Sequence, residues 1–328
     1  MKKNLELILL SVLISLKTFA GLIYVPSDFD VKTAKMVVVI HGCLQTAESM
    51  ALGSGWNNKA DENNLLIYYP QAKKGSNKND CWNWFDVENQ KRESGQLKQI
   101  VDEINKIKKD YHLQNNPVFV TGISSGGATT SGLLSCFPEY FQAGAIHSGP
   151  AYGLAKNEAE AYQLMSKAEV ESNVLPSCQA KKFKGDLMVV QGDQDKVVNP
   201  KNAQKIISEF LGDVIPDEKD VEETSALDSS VKYVYKISSY PNQDNRNIKV
   251  YLVKGMGHVW SGSLINLRNA AILSSKSQIP TAVPFFKEDG ISSTNITWEF
   301  FKNSKNREPN SESTSNKLKL NKKKEIKK

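Results

Sequence analysis

An α/β domain with a mostly parallel central sheet and helices on both faces is the fold class the sequence predicts, and three observations predict it. Short, solid apolar runs recur along the chain, as at Met36–Ile40 and Leu65–Tyr69, where a half-exposed strand would alternate with polar residues. Amphipathic stretches at helical spacing lie between several of these runs. Pro117–Thr121, apolar and β-branched, passes through Gly122-Ile123-Ser124-Ser125-Gly126 into the small, helix-compatible residues Gly127–Leu134. Strand, tight turn and helix thus follow one another without a linker.

In chain order, Met36–Ile40 reads as the first buried strand and Leu65–Tyr69 as the second. Leu97, Ile100, Val101, Ile104 and Ile107 recur at helical spacing, with Ser94 in place as N-cap. The strand ending near Thr121 follows, then strands at Ala143–Ile146, Leu187–Val190 and Ile248–Val253. Helices are expected at Asn202–Leu211 and, closing the domain, at Thr294–Phe301. Residues 212–245 are polar and poor in pattern and read as a surface insertion. No internal repeat is apparent.

The ends of the chain differ from its body. Lys2 and Lys3 precede an apolar run over Leu7–Leu16, and Thr18-Phe19-Ala20 ends in a small residue, the layout of a secretory signal peptide over residues 1–20. That run falls short of the ~20 residues a spanning helix needs. The remaining length suits one catalytic domain over 21–302, since single α/β domains routinely reach ~250 residues. The formal charge of +6 is a property of the ends: residues 1–20 carry +2 and residues 302–328 carry +7, leaving about −3 on the body. Charge therefore argues against a nucleic-acid surface on the folded domain. The tail over 303–328, rich in Lys, Ser and Asn without aromatics, is expected to stay disordered and solvated, with contact to an anionic surface as the alternative.

Cys43, Cys81, Cys136 and Cys178 are an even set, and in an exported chain disulfides are the expected state. Three connectivities are possible. Cys43–Cys81 and Cys136–Cys178 are favoured because each closes a local segment. A zinc site is the weaker alternative, because no CxxC pair or His spacing supports one.

Four constellations carry chemistry. Gly122-Ile123-Ser124-Ser125-Gly126 fits G-x-S-x-G in the strand–turn–helix context of a nucleophile elbow. The turn forces an unusual backbone on Ser124, and near-absent side chains two residues either side let strand and helix pass closely. A serine hydroxyl needs a base within reach. Gly255-Met256-Gly257-His258-Val259-Trp260 follows a strand end and supplies His258, in a Gly-flanked loop free to cross the top of the sheet. His41 and His147 sit at strand ends and read as structural, and His112 reads as solvated. Gln191-Gly192-Asp193-Gln194-Asp195 lies between the two in the chain, giving the order Ser, Asp, His of α/β-hydrolases. One aspartate would orient the base and the other tie the turn's backbone; spacing alone leaves Asp193 and Asp195 open. His41-Gly42-Cys43-Leu44-Gln45 ends the first strand and is the candidate oxyanion loop, with the N–H groups of Cys43 and Ser125 as donors. Trp82, Trp84 and Trp260 are candidate walls for an acyl or aromatic group, and each equally suits a core.

These residues carry a resemblance. His41-Gly42-Cys43-Leu44-Gln45-Thr46-Ala47, Gly55-Trp56-Asn57, Tyr69-Pro70-Gln71, Cys81-Trp82-Asn83-Trp84-Phe85, Gly122–Ala128, His147-Ser148-Gly149, Gly192–Asp195 and Gly255–Trp260 follow the order seen in esterases of the polyhydroxybutyrate (PHB) depolymerase family, from about Gly21 to Phe301. The chain resembles that family, which implies an α/β-hydrolase fold. It also implies nucleophile Ser124, acid Asp195 and base His258, and so chooses between the two aspartates. One departure is Gln191, where His is common in the family; the expected effect is on turn contacts and not on chemistry. Relatives include feruloyl and acetylxylan esterases, so the resemblance implies the bond type better than the substrate.

The expectation is a secreted or periplasmic serine carboxylesterase, needing neither metal nor organic cofactor, with a hydroxyalkanoate or plant-type ester as substrate. A non-catalytic surface-binding protein on a hydrolase scaffold is the alternative from another class. Loss of Ser, His or Asp would mark it, and all three are present.

Overall fold

A computed structural model describes residues 20–169, 176–212, 222–228, 233–240, 242, 244–262, 285–287 and 290–305. Residues 1–19 of the expected signal segment over 1–20, and the tail beyond residue 305, lie outside the described residues. A nine-stranded sheet forms the centre, in the order β1-β3-β2-β4-β5-β6-β9-β8-β7. Its parallel body comprises β2 (Lys35–Ile40), β3 (Leu65–Pro70), β4 (Val118–Ile123), β5 (Ala143–His147), β6 (Asp186–Gly192) and β9 (Ile248–Val253). β1 (Gly21–Tyr24) runs antiparallel to β3 at one edge. At the other edge β7 (Glu222–Asp228) and β8 (Tyr233–Ser239) continue the sheet antiparallel from β9. The sheet is thus mostly parallel, as its solid apolar strands require.

Successive side chains of a strand point to opposite faces, and the core divides accordingly. Met36, Val38, Ile40, Val118, Val120, Leu187 and Val189 pack on one face against α3 (Gly95–Asp110), α4 (Ser125–Cys136) and α6 (Asn202–Leu211). Val37, Val39, Phe119, Met188 and Val190 pack on the other against α1 (Ala47–Gly53), α2 (Trp56–Asn63) and α7 (Ser293–Lys302). On α3 the buried residues are Leu97, Ile100, Val101, Ile104 and Ile107, the stripe set by spacing. Ser94 occupies the N-cap position without a side-chain cap; Asn89 Oδ1 accepts the Gln96 N–H instead, at 2.9 Å. α5 (Glu158–Lys167) stands apart, closing a small cluster of Trp84, Ala128, Ala155, Ala161 and Leu164.

Two expectations change. Residues 212–245, read as a patternless surface insertion, contain β7 and β8 and add two strands to the sheet edge. A strand at a sheet edge is stabilised by its pairing partner, which no local pattern records, so Glu222–Asp228 carried no strand signal. The boundary at Lys302 is also short: Ser304, placed in the tail, accepts hydrogen bonds from Gln142 Nε2 through its carbonyl (3.1 Å) and hydroxyl (2.9 Å).

Candidate active site

The residues read as nucleophile, acid, base and oxyanion loop follow the C-terminal ends of β4, β6, β9 and β2, the side on which open α/β sheets form their crevice. Ser124 links β4 to α4 with φ 58° and ψ −121°, a conformation disfavoured for any side chain bearing a Cβ. Two glycines make the turn possible. A Cβ on Gly122 would lie 2.5 Å from the Gly126 carbonyl oxygen, and one on Gly126 would lie 2.3 Å from that of Ile40. Ser124 N–H donates to the His147 carbonyl (3.0 Å), so β5 holds the turn in place. α4 is buried along its whole length, and Thr129, Thr130 and Ser135 return their hydroxyls to carbonyls one turn back. Ser124 thereby stands at the N-terminus of a helix that small residues let pass against the sheet.

The loops after β6 and β9 close on each other where a Cβ on Gly192 would lie 2.1 Å from the Met256 carbonyl oxygen. Here the two aspartates part. Asp193 Oδ1 accepts the Gly255 N–H (2.7 Å) and ties the turns together. Asp195 Oδ2 accepts from His258 Nδ1 (2.8 Å) and from Gln191 Nε2 (3.1 Å), while Oδ1 accepts the N–H groups of Val197 (2.9 Å) and Val198 (2.8 Å). Burial pushes the Asp195 carboxyl up, but the His258 hydrogen bond and charge with the two backbone donors outweigh it and hold it below the usual carboxylate range. An ionised carboxylate only accepts, so the imidazole proton is on Nδ1 and the Nε2 lone pair is directed away from the acid. Nε2 is buried without a hydrogen-bond partner. Ser124 and His258 are not hydrogen-bonded to each other in this structure; β5 and β6 separate the strands that carry them.

The candidate oxyanion loop is fixed from several sides. The Cys43–Cys81 disulfide fastens it to the segment that carries Trp82. Gly42 N–H donates to Gln45 Oε1 (2.8 Å) and Leu44 N–H to the Asn79 carbonyl (2.8 Å). His41 Nε2 accepts the Ala72 N–H (3.1 Å), so its proton is on Nδ1, which donates to the Gly42 carbonyl (2.8 Å). Burial lowers the His41 pKa and keeps the ring neutral for this task. No hydrogen bond among the described residues engages the N–H of Cys43, and Ser125, first residue of α4, has an N–H with no partner inside the helix. The second disulfide, Cys136–Cys178, ties the end of α4 to the segment before β6, so both bridges follow the expected pairing.

The three tryptophans read as candidate walls are all buried and held by contacts within the fold. Trp82 is buried and donates its indole N–H to the His41 carbonyl (3.1 Å), with its ring 5.3 Å from the imidazole. Trp84 fills the cluster beneath α5. Trp260 has no exposed surface, stacks on His147 at 4.3 Å and donates to Thr294 Oγ1 (3.1 Å). Two neighbours of the site escaped sequence reasoning. Phe285, at φ 65°, sets its ring edge-on to His258 with centroids 5.3 Å apart, and nothing in the surrounding sequence marks it. Gln45 is visible only as part of the loop motif.

The family model described as esterase PHB depolymerase matches residues 19–215. Poly(3-hydroxyalkanoate) depolymerase C of Paucimonas lemoignei is 27% identical over 246 residues, 72% of this chain and 57% of that protein. Feruloyl esterase B of Thermothelomyces thermophilus is 31% identical over 137 residues, 40% of this chain and 45% of that protein. The chain therefore spans about half the length of these curated relatives. Acetyl xylan esterase from Aspergillus awamori shares the fold with a TM-score of 0.59 at 17% identity, over 77% of this chain and 92% of that one. With strand order, elbow and family model in agreement, the chain belongs to the esterase PHB depolymerase family, on an α/β-hydrolase fold.

Proposed function

We propose that the protein is a secreted serine carboxylesterase in which Ser124, Asp195 and His258 form the catalytic triad. The observation that carries this reading is His258, bonded through Nδ1 to an ionised Asp195 and left with a buried, unpartnered Nε2. That nitrogen takes the Ser124 Oγ proton as Oγ attacks the ester carbonyl; the contact between them closes when substrate orders the site. The N–H groups of Cys43 and Ser125 receive the developing oxyanion. The tetrahedral intermediate then collapses, His258 returns the proton to the leaving alcohol, and the acyl group stays on Ser124. Water repeats the sequence, giving the acid and free enzyme. Asp195 stabilises the imidazolium in both halves and remains ionised. Export is supported by the two disulfides, which belong to oxidising compartments.

The substrate reading is a hydroxyalkanoate ester, with feruloyl and acetylxylan esters as the second reading because proteins so named share comparable identity with this chain. A panel of p-nitrophenyl acyl esters, methyl ferulate, acetylated xylan and PHB granules decides between them. Ser124→Ala should remove hydrolysis of every substrate the wild type accepts, by about 10⁴-fold or more, with an unchanged circular dichroism spectrum. Retention of a tenth of wild-type turnover would refute the assignment.

A further inference from the structure

Four donors converge on Asp195, and only one is neither the candidate base nor backbone: Gln191. It belongs to β6 and has no exposed surface. Its Nε2 lies 3.1 Å from Asp195 Oδ2, 3.2 Å from the Val198 carbonyl oxygen and 3.3 Å from that of Gly192. All three are acceptors, which fixes the amide with its nitrogen toward the acid. Oε1 is left buried without a partner, an arrangement that an apolar side chain of equal size would avoid. The amide therefore satisfies acceptors on its nitrogen side while leaving its own oxygen unpaired, and the acceptor it shares with His258 is Asp195 Oδ2.

We propose that Gln191 is a positioning residue for the candidate triad, holding the Asp195 carboxylate in the orientation that accepts from His258. The two backbone donors grip Oδ1 only. Rotation about Cβ–Cγ carries both oxygens together, so the backbone donors on Oδ1 and the Gln191 amide on Oδ2 jointly hold the carboxylate plane that presents Oδ2 to His258. It acts through Asp195 and touches no reacting atom. The donor is uncharged at every pH. The titratable neighbours on the loop are Asp193, tied to Gly255, and exposed Lys196, and from the loop after β9 the neighbour is His258. The contact therefore lies on the acid itself, beyond the turn contacts expected from sequence.

This inference rests on Asp195 serving as the triad acid, so the test carries both claims. Gln191→Met keeps volume and removes the donor; Gln191→Glu sets a second carboxyl against Asp195. With a p-nitrophenyl ester, Gln191→Met should lower kcat by up to about 100-fold, as misplacement of a catalytic group can, with KM within about twofold. It should also move or broaden the downfield imidazole Nδ1–H proton resonance. Gln191→Glu, whose buried carboxyl faces the Asp195 charge and two carbonyl oxygens and so stays protonated, keeps a donor on Oδ2 and should recover most of the kcat that Gln191→Met loses. Wild-type kcat and resonance in Gln191→Met, with a change in melting temperature only, would overturn the proposal, as would equal loss of kcat in Gln191→Met and Gln191→Glu. Inactive Asp195→Asn beside fully active Gln191→Met sinks the Gln191 proposal alone. Active Ser124→Ala or Asp195→Asn sinks the triad reading and this proposal with it.

Discussion

At the residue scale, Asp193 and Asp195 show how two like side chains two positions apart come to do different work. Asp195 is buried with four donors, while Asp193 ties one backbone N–H near the surface. Asp195→Asn should leave the fold intact and cut turnover by about 10⁴-fold, because an amide facing Nδ1 selects the wrong tautomer. Asp193→Ala should cost about 1 kcal/mol, a melting shift of about 2–4 °C, and leave turnover near wild type. The opposite pattern would mean the acid is misassigned. His147 gives a pH prediction. Complete burial lowers its pKa to about 3, against about 6.5 unfolded, with Nε2 on Thr297 and the ring on Trp260. The folded state holds the ring neutral while the unfolded chain takes up a proton below pH ~6.5, so stability is fully present above that value and falls as pH drops toward 3. His147 alone contributes a slope of up to about 1.4 kcal/mol per pH unit in that window. His147→Gln should be less stable at pH 8 and show a flatter acid arm in urea midpoints between pH 8 and 4.5. An acid arm as steep as that of the wild type would contradict the burial argument.

Elements decide how still the site is. β4, the elbow and α4 form one unit because Gly122 and Gly126 let backbones touch, and a methyl on Gly126 meets two backbone carbonyl oxygens, of Ile40 and His41. Neither can yield without moving β2, so Gly126→Ala should cost about 3 kcal/mol or more, measured by urea unfolding. The Cys43–Cys81 bridge closes a 38-residue segment under the candidate oxyanion loop. Replacing both cysteines by serine should cost about 2–4 kcal/mol and lower kcat more than it raises KM, because the donors loosen while the acyl site is untouched. Equal loss in kcat and KM would argue against a role at the oxyanion. Legibility in the sequence followed the same physics. Strands buried on both faces announced themselves as solid apolar runs, and Ile248–Val253 and Asn202–Leu211 coincide with their elements. β1, β7 and β8 did not, because an edge or one-sided strand is stabilised by its pairing partner, which no local pattern records. The elbow and histidine loop were readable because their steric demands fall on adjacent residues. The roles of Trp82, Trp260 and Phe285 were not, since a buried aromatic and a ligand wall share one sequence signature.

For the whole molecule, the two faces of one sheet hold two cores, and the loops at its C-terminal end bring together residues from opposite halves of the chain. Residues 306–328 carry most of the tail's positive charge. Truncation after Lys305 should leave turnover on soluble esters within about twofold. Truncation after Lys302 also removes Ser304 from Gln142 and should cost about 1 kcal/mol. A large loss of turnover from the shorter cut would mean the tail contributes to the site. The central claim is that this fold exists to present one activated serine. Reaction with a fluorophosphonate probe, followed by peptide mass mapping, measures that directly. A single covalent adduct should appear on the peptide carrying Ser124, lost in Ser124→Ala and strongly slowed in His258→Ala. An unlabelled, folded wild type, or an adduct on any other residue, would contradict it.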